Sequence, residues 1–458
     1  MNLAPLPQWH TLPNGVRLLV LHQPEAVTSS VSLFVRCGSA HEPRPLAGIG
    51  HVLEHMVFKG SATRDCRQIN LDAERLGAEV NAHTDRDHTA FHMRGLGPDA
   101  ASFVRMLADI VLAPRFPEDE LARERAVVLQ EFAEDEDDAV SAAYRLIDAC
   151  CFGPHPAARP IIGTRRGIEA VTREALVAHV QRWYTGTNMT IAVHGPLPPE
   201  ALLAVAEPLF AGVPAGGVNT VPAAVYQGGL RTKAMAGSSQ SHLVLAAPLP
   251  PRGPDDAAGA LAAALFGEGM SSPLLDELRE RRGLVYYAAC SADVYAMCGQ
   301  FVVEASTAPG QLAEALDAVT GLLARQAERI DPVDLERARN QLRVKLMRLP
   351  ERPHRLLEAL VLDDWAPGAP RNLAEAIERL DALDAEAVRG TFAGLHAAGW
   401  SLAVTGKVAR GLSHQLPGWM GVPLAPVPAS ATASPPVPAA PTASAAAAPA
   451  RPAATAKA

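Results

Sequence analysis

The sequence predicts an α+β protein of more than one domain, and three observations lead to this fold class. The chain has 458 residues, which is too many for one compact core. Both strand-like and helical segments occur in each half. A stretch rich in Gly, Pro and Ala near the middle indicates a linker. We therefore divide the chain into an N-terminal half (1–212), a linker (213–230), a C-terminal half (231–423) and a tail (424–458).

The N-terminal half begins with strand-like residues. Asn14-Gly15 is a turn signal. The apolar stretch 16–21 and the partly alternating stretch 29–36 that follow it are the first candidate strands. Residues 79–93 then indicate a strand, a turn and a second strand.

Composition and charge exclude several classes of function. A net charge of −8 and a pI near 6.0 argue against a nucleic-acid partner. No apolar run approaches the roughly 18 residues of a membrane span. The N-terminus has no evident secretory signal or transit peptide, so a cytoplasmic location is expected. The six cysteines lack Cys-x-x-Cys spacing and are expected to be reduced; a redox role for the adjacent Cys150 and Cys151 is less favoured.

The central feature of the N-terminal half is the segment 48–60, which we predict to be a helix ending at Gly60. His51, Glu54 and His55 fall on one face of this helix, and apolar residues occupy the opposite face. Two imidazoles one turn apart can hold a single Zn²⁺, and a neighbouring carboxylate can accept a proton from a metal-activated water. The alternative is a polar helix face that carries two surface histidines.

A second predicted helix supplies further carboxylates. Pro117 and the acidic residues that follow it indicate a helix start. Glu124 and Glu131 are seven positions apart, so they lie on one face of this helix.

These residues resemble the M16 family of zinc metallopeptidases (pitrilysin- or insulinase-type, inverzincins), in particular the M16B branch that includes the mitochondrial processing peptidase and bacterial homologues. His-x-x-Glu-His is the inverzincin order. Glu131 follows His55 by 76 positions, which is the spacing of the third metal ligand in that family. The resemblance implies that His51, His55 and Glu131 bind the metal and that Glu124 supports the site by orienting a ligating imidazole. It also implies two homologous α/β-roll halves in a clam-like arrangement, each a mostly antiparallel sheet with helices packed on it.

The predicted hairpin at 79–93 is similar to the hairpin of this family whose first strand lies at the sheet edge. The resemblance implies that Asn81 and Ala82 contact the substrate backbone by β-augmentation. His83, His88 and His92 are possible additional ligands, but the matching family positions do not bind metal. We therefore interpret them as ordinary strand histidines.

The second half shows a weak repeat of the first. Aligning the two halves puts alanines where Glu54 and His55 stand and Lys345 where Glu131 stands, so one Zn²⁺ per chain is expected. The segment 278–287 matches a family pattern with Arg and Tyr seven positions apart. The resemblance implies that Arg279 holds the peptide and that Tyr286 donates a hydrogen bond to its developing oxyanion.

The function predicted from the sequence is that of a zinc metalloendopeptidase that cleaves peptides or unfolded segments, with Glu54 as the proton-transferring residue. The alternative is a non-catalytic scaffold of the same fold, or a partner subunit of a heterodimeric peptidase or larger assembly. We expect a homodimer, with a heterodimer with a degenerate paralogue as the alternative. The Pro/Ala-rich tail is expected to be disordered. Substrate specificity stays open.

Overall fold

The computed structural model describes residues 5–420 and 422–425 of the chain. Within these residues the strands form two sheets, one in each half. The strands are β1 (Gln8–Thr11), β2 (Arg17–His22), β3 (Thr28–Val35), β4 (Glu79–Thr84), β5 (Thr89–Leu96), β6 (Met189–Gly195), β7 (Leu230–Ala234), β8 (Ser241–Leu249), β9 (Val285–Val294), β10 (Gly299–Thr307) and β11 (Ser401–Gly406).

Helices separate and follow the strands in both halves. Those of the first half are α1 (Ile49–Met56), α2 (Cys66–Arg75), α3 (Ala100–Leu112), α4 (Glu118–Asp137), α5 (Ala139–Phe152), α6 (Arg165–Ala170), α7 (Arg173–Trp183) and α8 (Pro199–Phe210). Those of the second half are α9 (Asp256–Gly267), α10 (Pro273–Leu275), α11 (Leu312–Glu328), α12 (Pro332–Met347), α13 (Pro353–Trp365), α14 (Leu373–Ala382), α15 (Ala385–Ala398) and α16 (Leu412–Gln415). A π-helical turn, Asp276–Arg281, continues α10.

The two sheets have the same topology. The first has the strand order β1-β2-β6-β3-β5-β4, and the second has the order β7-β11-β8-β10-β9. When β7 is equated with β2, each strand of the second sheet occupies the place of its counterpart in the first, and only β1 has no counterpart. Strand β2 pairs with β6 in parallel, as β7 does with β11, and the other described pairs are antiparallel. The predicted fold class, two homologous and mostly antiparallel α/β halves, is confirmed.

The helices repeat as well. Helix α4 packs on α1 in the first half, and α12 packs on α9 in the second. The sequence alignment that placed α12 on α4 is therefore matched by equivalent positions in the fold. The segment between the halves, residues 213–229, contains no helix or strand. The exact domain limits stay predictions.

Each half covers one face of the other half's sheet. Successive residues of a strand point to opposite faces, and in both sheets the two faces are apolar. Helix α13 of the second half packs on the outer face of the first sheet, where Leu356 and Leu360 meet Leu19 and Phe34. Helix α5 of the first half packs in the same way on the second sheet. The two halves thus exchange equivalent helices.

The predicted hairpin is present, with β4 and β5 joined by residues 85–88. Strand β4 stands at the end of the sheet order and pairs with β5 alone among the described strands. The first strand of the hairpin is therefore an edge strand, as predicted.

The predicted tail, 424–458, lies almost entirely outside the described residues. Leu424 and Ala425, which the prediction assigned to it, are paired with the chain: Leu424 bridges to Trp400, and the Ala425 N–H donates to the Trp400 carbonyl at 2.9 Å. Leu424 and Ala425 are thus part of the folded second half.

None of the helices in the described part of the chain is both long and apolar enough to cross a membrane. All six cysteines are unpaired, and Cys37, Cys150, Cys151 and Cys298 are buried.

Candidate metal centre

Helix α1 is the base of the candidate site, and its residues divide between two environments. Ile49, Val52, Leu53 and Met56 are buried in the core of the first half. His51, Glu54 and His55 are only partly buried on the other side of the helix. A 3-10 turn, Val57–Lys59, follows, and the backbone leaves it at Gly60, as predicted.

The start of α1 is fixed by a buried carboxylate that the sequence analysis missed. Glu42 accepts hydrogen bonds from the backbone N–H groups of Gly48 and Gly50 at 2.7 and 2.8 Å. Burial raises the pKa of Glu42 to about 7, although these two hydrogen bonds oppose the shift. Gly48 has φ +103°, and a Cβ there would lie 2.7 Å from the Ile162 carbonyl oxygen, so only glycine fits. The position at which α1 begins is therefore well defined.

Helix α4 brings the third predicted ligand to α1. The Oε2 atom of Glu131 lies 3.8 Å from His51 Nε2 and 3.7 Å from His55 Nε2. One donor atom from each of the three residues lies within 4.8 Å of the other two. Residues separated by 76 positions in the sequence thus converge on one point.

The donor set fits a zinc ion. Two imidazole nitrogens and one carboxylate oxygen are the ligands of many catalytic zinc sites, which keep a fourth position open. Zn²⁺ holds such ligands at ~2.0–2.1 Å, so its donors stand about 3.3 Å apart in a tetrahedral site. The observed separations of 3.7 and 3.8 Å are a few tenths of an ångström larger. The half-exposed Glu131 side chain has room to close that difference by a small torsional change.

The orientation of His55 is set by a hydrogen bond on its far side. His55 Nδ1 donates to Glu124 Oε2 at 3.0 Å, which leaves Nε2 free to face Glu131. Glu124 is in turn held by Lys59, whose Nζ lies 2.7 Å from Oε1. Burial opposes the charge on Glu124, but the hydrogen bonds from Lys59 and His55 outweigh it and lower its pKa. Lys59 thus holds Glu124 by an ion pair, and Glu124 in turn holds the His55 imidazole by a hydrogen bond.

The pKa shifts of two other residues suit metal chemistry. Burial, reinforced by His55, lowers the pKa of His51 to about 4, so its imidazole is neutral at pH 7, the form that binds metal. Burial also raises the pKa of Glu54, against the opposing effects of Thr84 and His55. A carboxylate with a raised pKa is a stronger base.

Replacing Glu124 by Gln is expected to lower the affinity for Zn²⁺ by about 10–100-fold, the usual effect of removing an outer carboxylate that orients a ligating His. The neutral amide would remove the charged partner of Lys59 and would hold His55 less firmly. Zinc competition with a chromophoric chelator measures the change. Glu118→Gln, at the exposed start of the same helix, is the matched control and should bind zinc as the wild type does.

The predicted substrate-contact residues lie beside α1, the helix that carries the two candidate histidine ligands. Thr84 at the end of β4 touches α1, with its Oγ1 3.5 Å from the Gly50 carbonyl oxygen. Asn81 and Ala82 precede it on the same edge strand. The Ala82 N–H donates to the side-chain oxygen of Asn81 at 2.8 Å. The structure therefore places both residues on an open strand edge close to α1.

Arg279 and Tyr286 lie together, but no described contact joins them to the three predicted ligands. The Arg279 guanidinium stands 5.2 Å from the centre of the Tyr286 ring, and Tyr286 is 83% exposed. The other described side-chain contacts of Arg279 are with Met270 and Glu280, which lie within ten residues of it in the sequence. The two side chains thus contact each other, and their role toward a substrate stays a prediction.

The fold and the donor set together define a class, that of two-half α+β proteins with a His₂Glu candidate metal centre in the first half. Two family descriptions match the chain in tandem: "Insulinase (Peptidase family M16)" over residues 17–165, and "Peptidase M16 inactive domain" over residues 170–342. Among curated relatives, an uncharacterized zinc protease of Mycobacterium leprae is 31% identical over 386 residues, covering 82% of this chain and 86% of the relative. An uncharacterized zinc protease of Bacillus subtilis is 26% identical over 400 residues, covering 86% and 97%.

Solved structures agree in fold. A peptidase M16 inactive domain from Pseudomonas fluorescens superimposes with a TM-score of 0.81 at 22% identity, covering 88% of this chain and 98% of that one. A protease from Helicobacter pylori gives a TM-score of 0.78 at 20% identity, covering 88% and 99%. The chain belongs to the M16 peptidase family.

Proposed function

We propose that the chain is a zinc-dependent endopeptidase that hydrolyses peptides or unfolded segments. The observation that carries this proposal is the convergence of His51, His55 and Glu131 from two helices distant in sequence. The names of the curated relatives, zinc proteases, support zinc as the metal.

A bound Zn²⁺ would supply a Lewis acid that polarises the peptide carbonyl and makes water a stronger acid. His51 and His55 offer imidazole nitrogens and Glu131 offers a carboxylate oxygen to hold the ion. Glu124 and Lys59 keep the His55 ring turned so that its Nε2 faces the centre. These residues fix the position at which a peptide must present its carbonyl.

Glu54 is the proposed proton carrier. It lies on the same partly buried face of α1 as the two histidines, and burial raises its pKa. Its carboxylate oxygen accepts the proton of the attacking water and then returns it to the amine that leaves. Because the peptide nitrogen leaves as a neutral amine only when protonated, both transfers depend on this one residue.

The substrate is proposed to bind as an additional strand on β4. An edge strand presents unpaired backbone groups, and an extended peptide can pair with them regardless of its sequence. A peptide carbonyl would replace the Asn81 side chain as the acceptor of the Ala82 N–H. The strand would thus carry the peptide past α1 in a fixed register.

Arg279 and Tyr286 are proposed to contact the same peptide from the second half. The Tyr286 hydroxyl would donate a hydrogen bond to the carbonyl oxygen as it becomes negative, and Arg279 would hold the peptide through its planar fork. The ring–guanidinium contact between them keeps the two groups together. A homodimer is the assembly we propose for the active form.

Digestion of a random peptide library by the purified full-length chain tests the proposed activity. We expect cleavage that a chelator abolishes and that stoichiometric Zn²⁺ restores, because the proposed chemistry needs the occupied centre. Cleavage that persists in excess chelator would contradict the zinc mechanism. A chain that binds zinc with its fold intact yet cleaves no peptide would favour the non-catalytic alternative.

A further inference from the structure

A second group of potential metal ligands lies where the two halves meet. His83 is on β4, His88 is the last residue of the turn before β5, and Glu358 is on α13 of the second half. Glu358 Oε1 lies 3.2 Å from His83 Nε2 and 3.5 Å from His88 Nε2. The two Nε2 atoms are 3.3 Å apart. Residues some 270 positions apart in sequence thus contribute to one compact cluster.

The three separations match the edges of a tetrahedral metal site. Donors held at ~2.0–2.1 Å from Zn²⁺ are about 3.3 Å from one another. The distances of 3.2, 3.3 and 3.5 Å are closer to this value than those between Glu131 and its two histidines. The three atoms thus already stand at separations that one ion can span.

Both imidazoles are oriented by partners on the ring nitrogen that faces away from the cluster. His88 Nδ1 donates to Asp87 Oδ1 at 2.8 Å, and the other oxygen of Asp87 accepts the Ala296 N–H at 3.0 Å. His83 Nδ1 lies 3.0 Å from His92 Nε2. Histidines that bind a metal through one ring nitrogen commonly donate a hydrogen bond from the other to a carboxylate, as His88 does to Asp87. Each ring therefore presents Nε2 to the same point.

The remaining contacts leave that point accessible. Arg355 binds the other carboxylate oxygen of Glu358, Oε2, at 3.0 Å, so Oε1 stays directed at the histidines. The His88 side chain is 1% exposed, while that of His83 is 36% exposed. An ion would enter from the side of His83, and water would complete its coordination.

We propose that His83, His88 and Glu358 form a second divalent-cation site, with Zn²⁺ as the expected occupant of two imidazoles and a carboxylate. The site differs from the first in its place on the sheet. Side chains alternate along β4, so Thr84 faces α1 while His83 faces α13. The ion would link helix α13 to the sheet of the other half. This role does not depend on peptidase activity. This replaces the interpretation of His83 and His88 as ordinary strand histidines.

Zinc content per chain tests this site. Metal is first removed from the full-length protein with a chelator. The protein is then dialysed against a slight excess of Zn²⁺ and separated from unbound metal, and its zinc content is measured by elemental mass spectrometry. We expect two zinc ions in the wild type, one in His51→Ala, one in Glu358→Gln and none in the double variant. His354→Asn, one turn from Glu358 on the same helix, is the matched control and should keep two.

His83→Asn provides an independent variant at a partly exposed position, should Glu358→Gln fail to fold. It is also expected to hold one ion. Wild-type protein that retains a single zinc, lost in His51→Ala, would overturn the proposal and leave the cluster as an ion-pair network between the halves. Equal zinc content in the wild type, Glu358→Gln and His83→Asn would overturn it as well. Neither result depends on whether the chain cleaves peptides.

Discussion

Glu54→Gln is expected to bind zinc as the wild type does and to lose at least about a hundredfold in kcat, because positioned proton transfer contributes typically 10²–10⁴-fold to a reaction rate. The amide has the size of the carboxylate but accepts no proton at neutral pH. Glu54 is only partly buried and is not among the three convergent donors, so the substitution should leave the fold and the metal centre in place. Zinc content and the turnover of a cleaved library peptide measure the two quantities separately.

Glu54→Asp is the informative companion to this variant. It keeps a carboxylate but withdraws it by one methylene, so it should retain more activity than Glu54→Gln while binding zinc equally well. Wild-type turnover by Glu54→Gln would exclude Glu54 as the proton carrier.

The second large effect is expected of Glu131→Gln, which should weaken zinc binding by more than the ~10–100-fold that loss of an outer carboxylate causes. The carboxamide oxygen is neutral, so it contributes much less to binding a dication than the carboxylate does. Cleavage should fall in parallel at limiting zinc and recover in part at high zinc. Chelator competition gives the affinity, and peptide turnover at several zinc concentrations gives the rescue.

Glu134→Gln is the matched control for this prediction, since Glu134 lies one turn further along α4 and is exposed. Its zinc affinity should equal that of the wild type. If Glu131→Gln and Glu134→Gln bound zinc equally well, the position of Glu131 beside the histidines would have no role in metal binding.

The parts of the site that follow local periodicity were predictable from the sequence. The helical spacing of His51, Glu54 and His55 fixes their shared face, and the apolar residues between them fix which face is buried. The edge position of β4 and the choice of Glu131 as the third candidate ligand required the family resemblance, because periodicity carries no information on which distant helix meets α1.

Other residues escaped prediction because only tertiary contacts define them. Lys59 and Glu42 look like ordinary charged residues in the sequence, yet one holds Glu124 and the other caps α1. Glu358 lies on α13, and the sequence of this helix shows that one of its faces is apolar. The sequence does not show which sheet that face covers. The exchange of α5 and α13 was missed for the same reason.

That exchange limits how far the two halves can move apart. A rigid-body separation of the two halves would remove α13 from the first sheet and α5 from the second. It would expose apolar side chains to water, including those of Leu356, Leu360 and Phe34. A large opening between the halves is therefore opposed by two apolar contacts, that of α13 with the first sheet and that of α5 with the second. If a peptide binds along β4 as proposed, it would have to reach that strand while both contacts stay closed, as an extended chain rather than as a folded domain.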